Sequence, residues 1–169
     1  KYYLSILRDI TERKQMEETL KKSEAKFHEM AEKLPETIYE TDLQGNITYL
    51  NKSGSDRFGY TKEDVSKGLN ISQLFTPDEL KLAENRGKSL ISGDKNIPKG
   101  AEYTVQRKDG SHLTAAVFSS PIIQDGRPVG LRGLLIDVTE RKKLDEALRQ
   151  EKAFTDKLLN APRDTVFLF

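Results

Sequence analysis

Side chains able to do chemistry are few and scattered. Cysteine is absent from all 169 residues, which removes disulfides, thiol nucleophiles and cysteine-ligated zinc or iron–sulfur sites. His28 lies in a heavily charged stretch and His112 lies beside a turn; neither has partners at metal-ligand spacing. Asp42, Asp56, Asp64, Asp109 and Asp137 fall in turn-forming or helix-starting segments, where aspartate is expected on structural grounds. Gly130-Leu-Arg-Gly133 sits in an apolar run and lacks the Lys-Ser/Thr ending of a phosphate loop. These two glycines read instead as places of close approach by a helix or ligand. No Ser-His-Asp arrangement is apparent. The chain predicts no catalytic residue and no metal.

The bulk properties narrow the class further. Charged residues make up 33% and hydrophobic ones 36%, so the core is modest and much of the chain is solvated. A net charge of +1, without a basic cluster or any tryptophan, offers nucleic acid nothing to hold. No apolar run approaches the roughly 20 residues needed to cross a bilayer. A cytoplasmic location is expected, within a parent protein that can still be membrane-anchored.

One stretch occurs twice. Asp9-Ile-Thr-Glu-Arg-Lys-Gln-Met-Glu-Glu-Thr-Leu20 returns 128 residues later as Asp137-Val-Thr-Glu-Arg-Lys-Lys-Leu-Asp-Glu-Ala-Leu148, with seven of twelve positions identical. The chain therefore reads as a slice of a tandem array. Residues 1–8 are expected to be the last strand of a preceding unit, and 9–34 a linker helix. Residues 35–139 form the complete unit, 140–161 a second linker helix, and 162–169 the start of a following unit. On the first helix Met16, Leu20, Phe27, Met30 and Leu34 fall on an a/d seam, with Ser23 at the remaining position. That pattern predicts a parallel coiled-coil homodimer, with Pro35 ending the helix.

Within the central unit, Glu36–Thr41 and Asn46–Leu50 alternate as two short strands around a turn-rich Asp42–Asn46. Asn51 and Gly59 are placed to cap a short helix, and Thr76-Pro77 opens another that runs to about Ser92. Glu102–Arg107 and Ser111–Phe118 flank Asp109-Gly110, a strong hairpin signal. Asp125-Gly126 makes a second turn before Val129–Asp137, the most apolar strand and so a central one. Strands segregated from helices predict an α+β fold.

Thr41-Asp-Leu-Gln-Gly-Asn-Ile-Thr-Tyr-Leu-Asn51, Phe58-Gly-Tyr-Thr-Lys-Glu-Asp64, Arg107-Lys-Asp-Gly-Ser111 and Gly133 through Lys142 together resemble a PAS domain with its C-terminal PAC motif. The resemblance implies a five-stranded antiparallel sheet of order 2-1-5-4-3 with short helices on one face around a small cavity. It also implies a sensory role in a multi-PAS protein resembling a sensory histidine kinase, coupled to neighbouring PAS units and an output domain. The family's Asp-x-Thr signal junction matches Asp137 and Thr139, and Asp9 and Thr11 in the preceding copy. Thr139 is placed to cap a helix beginning at Glu140, and Asp137 to accept from opened backbone. His28-Glu29 resembles a kinase phosphoacceptor pair only superficially, since the Pro and basic residue of that motif are not at its spacing. Light-sensing flavin members need a reactive cysteine, absent here, and haem members a histidine from the long helix, which Pro77–Ser92 lacks. Both cofactors are disfavoured. An apolar small molecule, or nothing, is the expected content of a candidate cavity lined by Ile38, Tyr39, Phe58, Ile71, Leu74, Leu90, Val105, Val117 and Leu134. A ligand-free dimerisation and spacer module is the alternative.

Overall fold

The computed structural model describes residues 2–159, with side chains described for 13–158. The expected start of a following unit, 162–169, lies outside the described residues.

Helix α1, Tyr2–Lys33, contains neither glycine nor proline and ends just before Pro35. It corrects the expectation of a strand at 1–8. A lone strand leaves its backbone groups unpaired, whereas a helix satisfies them internally. Asp9 and Thr11 consequently fall inside continuous helical backbone rather than at a strand-to-helix boundary, and their side chains lie outside the described part.

The body is one antiparallel sheet of strands β1 (Thr37–Asp42), β2 (Ile47–Leu50), β3 (Ala101–Gln106), β4 (His112–Gln124) and β5 (Arg127–Asp137). Their order is β2-β1-β5-β4-β3. The apolar β5 is central, as its composition predicts. Asp125 (φ 50°) and Gly126 (φ 75°) both take the left-handed conformation that a two-residue hairpin needs. β4 runs six residues past the expected Phe118, through Pro121. Beyond Val117, the partner of Ala101, it pairs only with β5, so a residue without an N–H is tolerated on the open side.

Three helices cover one face. Helix α2 (Lys52–Phe58) is capped by Asn51 and ended by Gly59 at φ 75°. In α3 (Lys62–Ser66), Thr61 and Asp64 form a reciprocal capping box, and Lys108 reaches the Asp64 carboxylate at 2.8 Å. Lys108 and the Thr61 bonds pull the Asp64 pKa down to about 2. Pro77 opens α4 (Pro77–Ile91) at its first position. The core between these helices and the sheet holds Phe58, Leu69, Leu74, Tyr103, Val105, Leu113, Ala115 and Leu135. Helix α5 (Thr139–Leu159) leaves the end of β5.

Asn51 joins three of these elements. Its side-chain amide donates to the carbonyls of Ala31 and Glu36, both at 2.9 Å, while its Oδ1 accepts from Ile38 and Gly54, both at 3.0 Å. The residue is fully buried. The end of α1 docks nearby through Glu32, which accepts from Tyr49 Oη at 3.2 Å and from the Lys52 amide at 2.8 Å. Burial and the Glu32 carboxylate together push the Tyr49 phenol up to about 12.

Candidate cavity and strand-to-helix junction

Between the sheet and α4 lies a cavity of about 80 Å³. Seven of the nine expected lining residues reach it: Tyr39, Phe58, Ile71, Leu74, Leu90, Val105 and Val117. Ile38 and Leu134 do not. They are paired with each other across β1 and β5 and belong to the opposite face. The neighbouring Thr37 and Leu135 face it instead, as do Thr41 and Leu131 three residues away on the same strands.

A single row of the sheet builds the polar end of this cavity. Tyr39 on β1, Gly133 on β5 and Ser119 on β4 are direct cross-strand partners. The Tyr39 ring lies across Gly133 so closely that a Cβ there would sit 2.3 Å from Cζ. Only a residue without a side chain leaves room, and the phenol thereby reaches Ser119 Oγ at 2.8 Å on the next strand but one. Burial raises the Tyr39 pKa although the Ser119 bond opposes it. Gly133 thus gives close approach to a tyrosine of the same sheet. Gly130 serves a backbone instead, since a Cβ there would fall 1.9 Å from the Thr41 carbonyl oxygen.

α4 contributes Arg86 to the wall. The described residues of the wall include no imidazole, thiol or thioether, the side chains most used to hold a haem iron. Among the described residues no group of three or more His, Asp or Glu could hold a metal. His28 stacks near Tyr49 with ring centroids 5.3 Å apart, and His112 is exposed at the start of β4.

The second candidate site is the join of β5 to α5. Asp137 Oδ1 accepts from the Thr139 amide at 2.9 Å, placing a carboxylate at the positive end of α5. Thr139 itself opens the helix, and its Oγ1 accepts from the Thr114 amide of β4 at 2.9 Å. The hydroxyl therefore anchors α5 to a strand instead of capping it, because Thr114 presents an amide beyond the last β4–β5 pair. Arg57, at the end of α2, reaches Asp137 Oδ2 at 3.2 Å and the Pro35 carbonyl at 3.4 Å. One guanidinium thus touches both the segment following α1 and the segment preceding α5. Sequence reasoning missed Arg57, and only its position in the last turn of a capped helix could have hinted at it.

Desolvation disfavours ionised Asp137, but the Thr139 hydrogen bonds and Arg57 outweigh it and hold its pKa below 3.8. A lowered folded-state pKa stabilises the protein above the unfolded value and loses that contribution as pH falls through the folded one. Asp137→Asn should therefore be less stable than wild type at neutral pH, with the gap closing as pH drops below 3.8. Urea unfolding across that window checks this. A gap independent of pH would show that the carboxylate charge is not what matters.

With this geometry established, the chain belongs to the PAS domain family, whose match spans residues 35–140. It is 30% identical over 85% of its length to the C4-dicarboxylate transport sensor protein DctS of Rhodobacter capsulatus, covering 22% of that protein. It is 27% identical over 99% of its length to sporulation kinase E of Bacillus subtilis, again covering 22%. The PAS domain of a Colwellia psychrerythraea protein superposes with a TM-score of 0.61 at 25% identity, over 72% of this chain and 98% of that one. The chain thus spans about a fifth of the length of these curated relatives. No described helix is long and apolar enough to cross a membrane.

Proposed function

We propose that this PAS domain is a sensory module of a larger signalling protein, a histidine kinase by the likeness of its relatives. It reports the state of its cavity to α5 through Asp137 and Thr139. The observation that carries the reading is the continuity of β5. Leu135 lines the cavity, and two residues later Asp137 holds the first amide of α5. A displacement of β5 by cavity contents moves the hydrogen-bonded start of the helix with it. A spacer without a ligand would fill this space with its own side chains, so the cavity favours the sensor.

The output is a dimer of helices. Met16, Leu20, Phe27 and Met30 on α1, and Leu34 just past its end, are 43–72% exposed, and so are Leu144, Leu148 and Leu158 on α5. Such stripes on otherwise charged helices suit a coiled-coil seam. The double variant Leu20→Glu/Leu148→Glu should sediment as a monomer where the wild type sediments as a dimer. A monomeric wild type would sink the seam.

Hydrogen exchange tests the relay. Ala83 lines the cavity on α4, and Ala83→Leu fills it without touching the junction. Amides 139–142 should change their exchange rates severalfold while those of α3 stay the same. An unchanged junction beneath a filled cavity would remove the relay.

A further inference from the structure

The wall of the cavity indicates the chemistry of its occupant, on the reading above that it takes a small molecule. Among the described residues that line it, Arg86 is the one charged residue and none carries a carboxylate side chain. One amino nitrogen of Arg86 donates to the Pro98 carbonyl, while Nε is buried without a hydrogen-bond partner. Among the described salt bridges none involves Arg86. Thr37, 1% exposed and also on the wall, has a buried Oγ1 without a partner. The hydroxyls of Tyr39 and Ser119 complete the polar end.

This set is rich in donors and poor in obligate acceptors. A guanidinium can only donate, the Thr37 hydroxyl can turn its proton toward an anion, and the bonded Tyr39–Ser119 pair keeps one proton to do the same. Buried donors left unmatched are costly, so the site is complementary to a group that only accepts. Its net positive charge selects an anion over a neutral acceptor. A single cation matches a single carboxylate, because a second would be buried unpaired. The remaining wall, including Leu74, Leu90, Val105 and Leu135, is apolar. At about 10–15 Å³ for each water-sized centre, the cavity accommodates roughly five to eight non-hydrogen atoms.

We propose that the cavity binds a small monocarboxylate with an unbranched or compact apolar body, its carboxylate held by Arg86 and the Tyr39–Ser119 hydroxyl pair. Pentanoate is a probe of this size and class, 1-pentanol its neutral counterpart and glutarate its dicarboxylate counterpart.

Isothermal titration calorimetry of the whole chain with each probe tests this, on wild type, Arg86→Met and Arg86→Lys. Pentanoate should bind wild type at least tenfold more tightly than 1-pentanol or glutarate. Arg86→Met should weaken pentanoate at least tenfold and leave 1-pentanol unchanged, while Arg86→Lys keeps part of the pentanoate affinity. Should Arg86→Met fail to fold, Ser119→Ala takes its place, with a smaller loss confined to pentanoate. Undiminished pentanoate binding in Arg86→Met, or glutarate binding as tight as pentanoate, overturns the assignment. If 1-pentanol binds and pentanoate does not, the ligand class is wrong and the cavity reading stands. If no probe gives heat or shifts the amide resonances of the cavity strands, both fall.

Discussion

Asn51→Ala is expected to lower unfolding stability by about 3–5 kcal/mol, the largest effect of any single polar side chain here. The substitution leaves the amides of Ile38 and Gly54 and the carbonyls of Ala31 and Glu36 without their side-chain partner, two of these bonds being buried and two part-buried. Each buried group so orphaned costs about 1–3 kcal/mol. Partial relaxation keeps the sum below the simple total. Asn51→Asp discriminates between cap and tie. Its carboxylate still accepts from Ile38 and Gly54, but it cannot donate to the two carbonyls and would repel them. It should recover only part of the loss. In urea, the midpoint should move with an unchanged slope, since the surface exposed on unfolding is the same. An alanine variant within 1 kcal/mol of wild type would show that Asn51 only caps α2, a role worth about that much.

Gly133→Ala carries the second large effect. The new methyl would lie 2.3–2.5 Å from three atoms of the Tyr39 side chain. The backbone on either side is held in ladders to β1 and β4, so the tyrosine must leave. Its way out is into the cavity, with loss of the 2.8 Å bond to Ser119. The expected cost is about 2–4 kcal/mol, combining overpacking with one lost hydrogen bond. The strain is mutual, so Gly133→Ala combined with Tyr39→Leu should be more stable than the two single effects predict. Thermal unfolding of the four-member cycle measures that coupling. Strict additivity would mean that the ring does not lie over Gly133 in solution.

Much of the sheet was legible in the chain, for a local reason. Asp109-Gly110, Asp125-Gly126, Asn51, Gly59 and Thr76-Pro77 each impose a backbone geometry on their own. The strands between them follow. The face that each strand presents was harder to read. On β1 the inward residues are Thr37, Tyr39 and Thr41, while the apolar Ile38 points outward, so hydrophobic alternation suggests the wrong parity. On β5 both faces are apolar, and nothing distinguishes Leu134 from Leu135 before the register is known. Arg57 and Arg86 escaped notice because an arginine in a short polar helix usually reads as solvated. Their significance comes from contacts 12 to 80 residues away. The strand expected at residues 1–8 failed for a related reason. Its apolar pattern echoes β5, but a strand exists only beside another strand.

The strand order also divides the sheet into two pieces of unequal connectivity. β1 and β2 form one hairpin, and β3, β4 and β5 form a meander. The backbone ladder between the halves is that of β1 with β5, where Arg132 bonds Glu40 across 92 residues of chain. Closing a loop that long costs about 2 kcal/mol more entropy than closing one of ten residues. The pairings within each half are local in sequence, and the ladder between them carries the long-range closure cost. The cavity straddles this joint, with Tyr39 on one side and Ser119 on the other. A molecule held there would bind only the joined form, and would act on the rate at which the halves come apart.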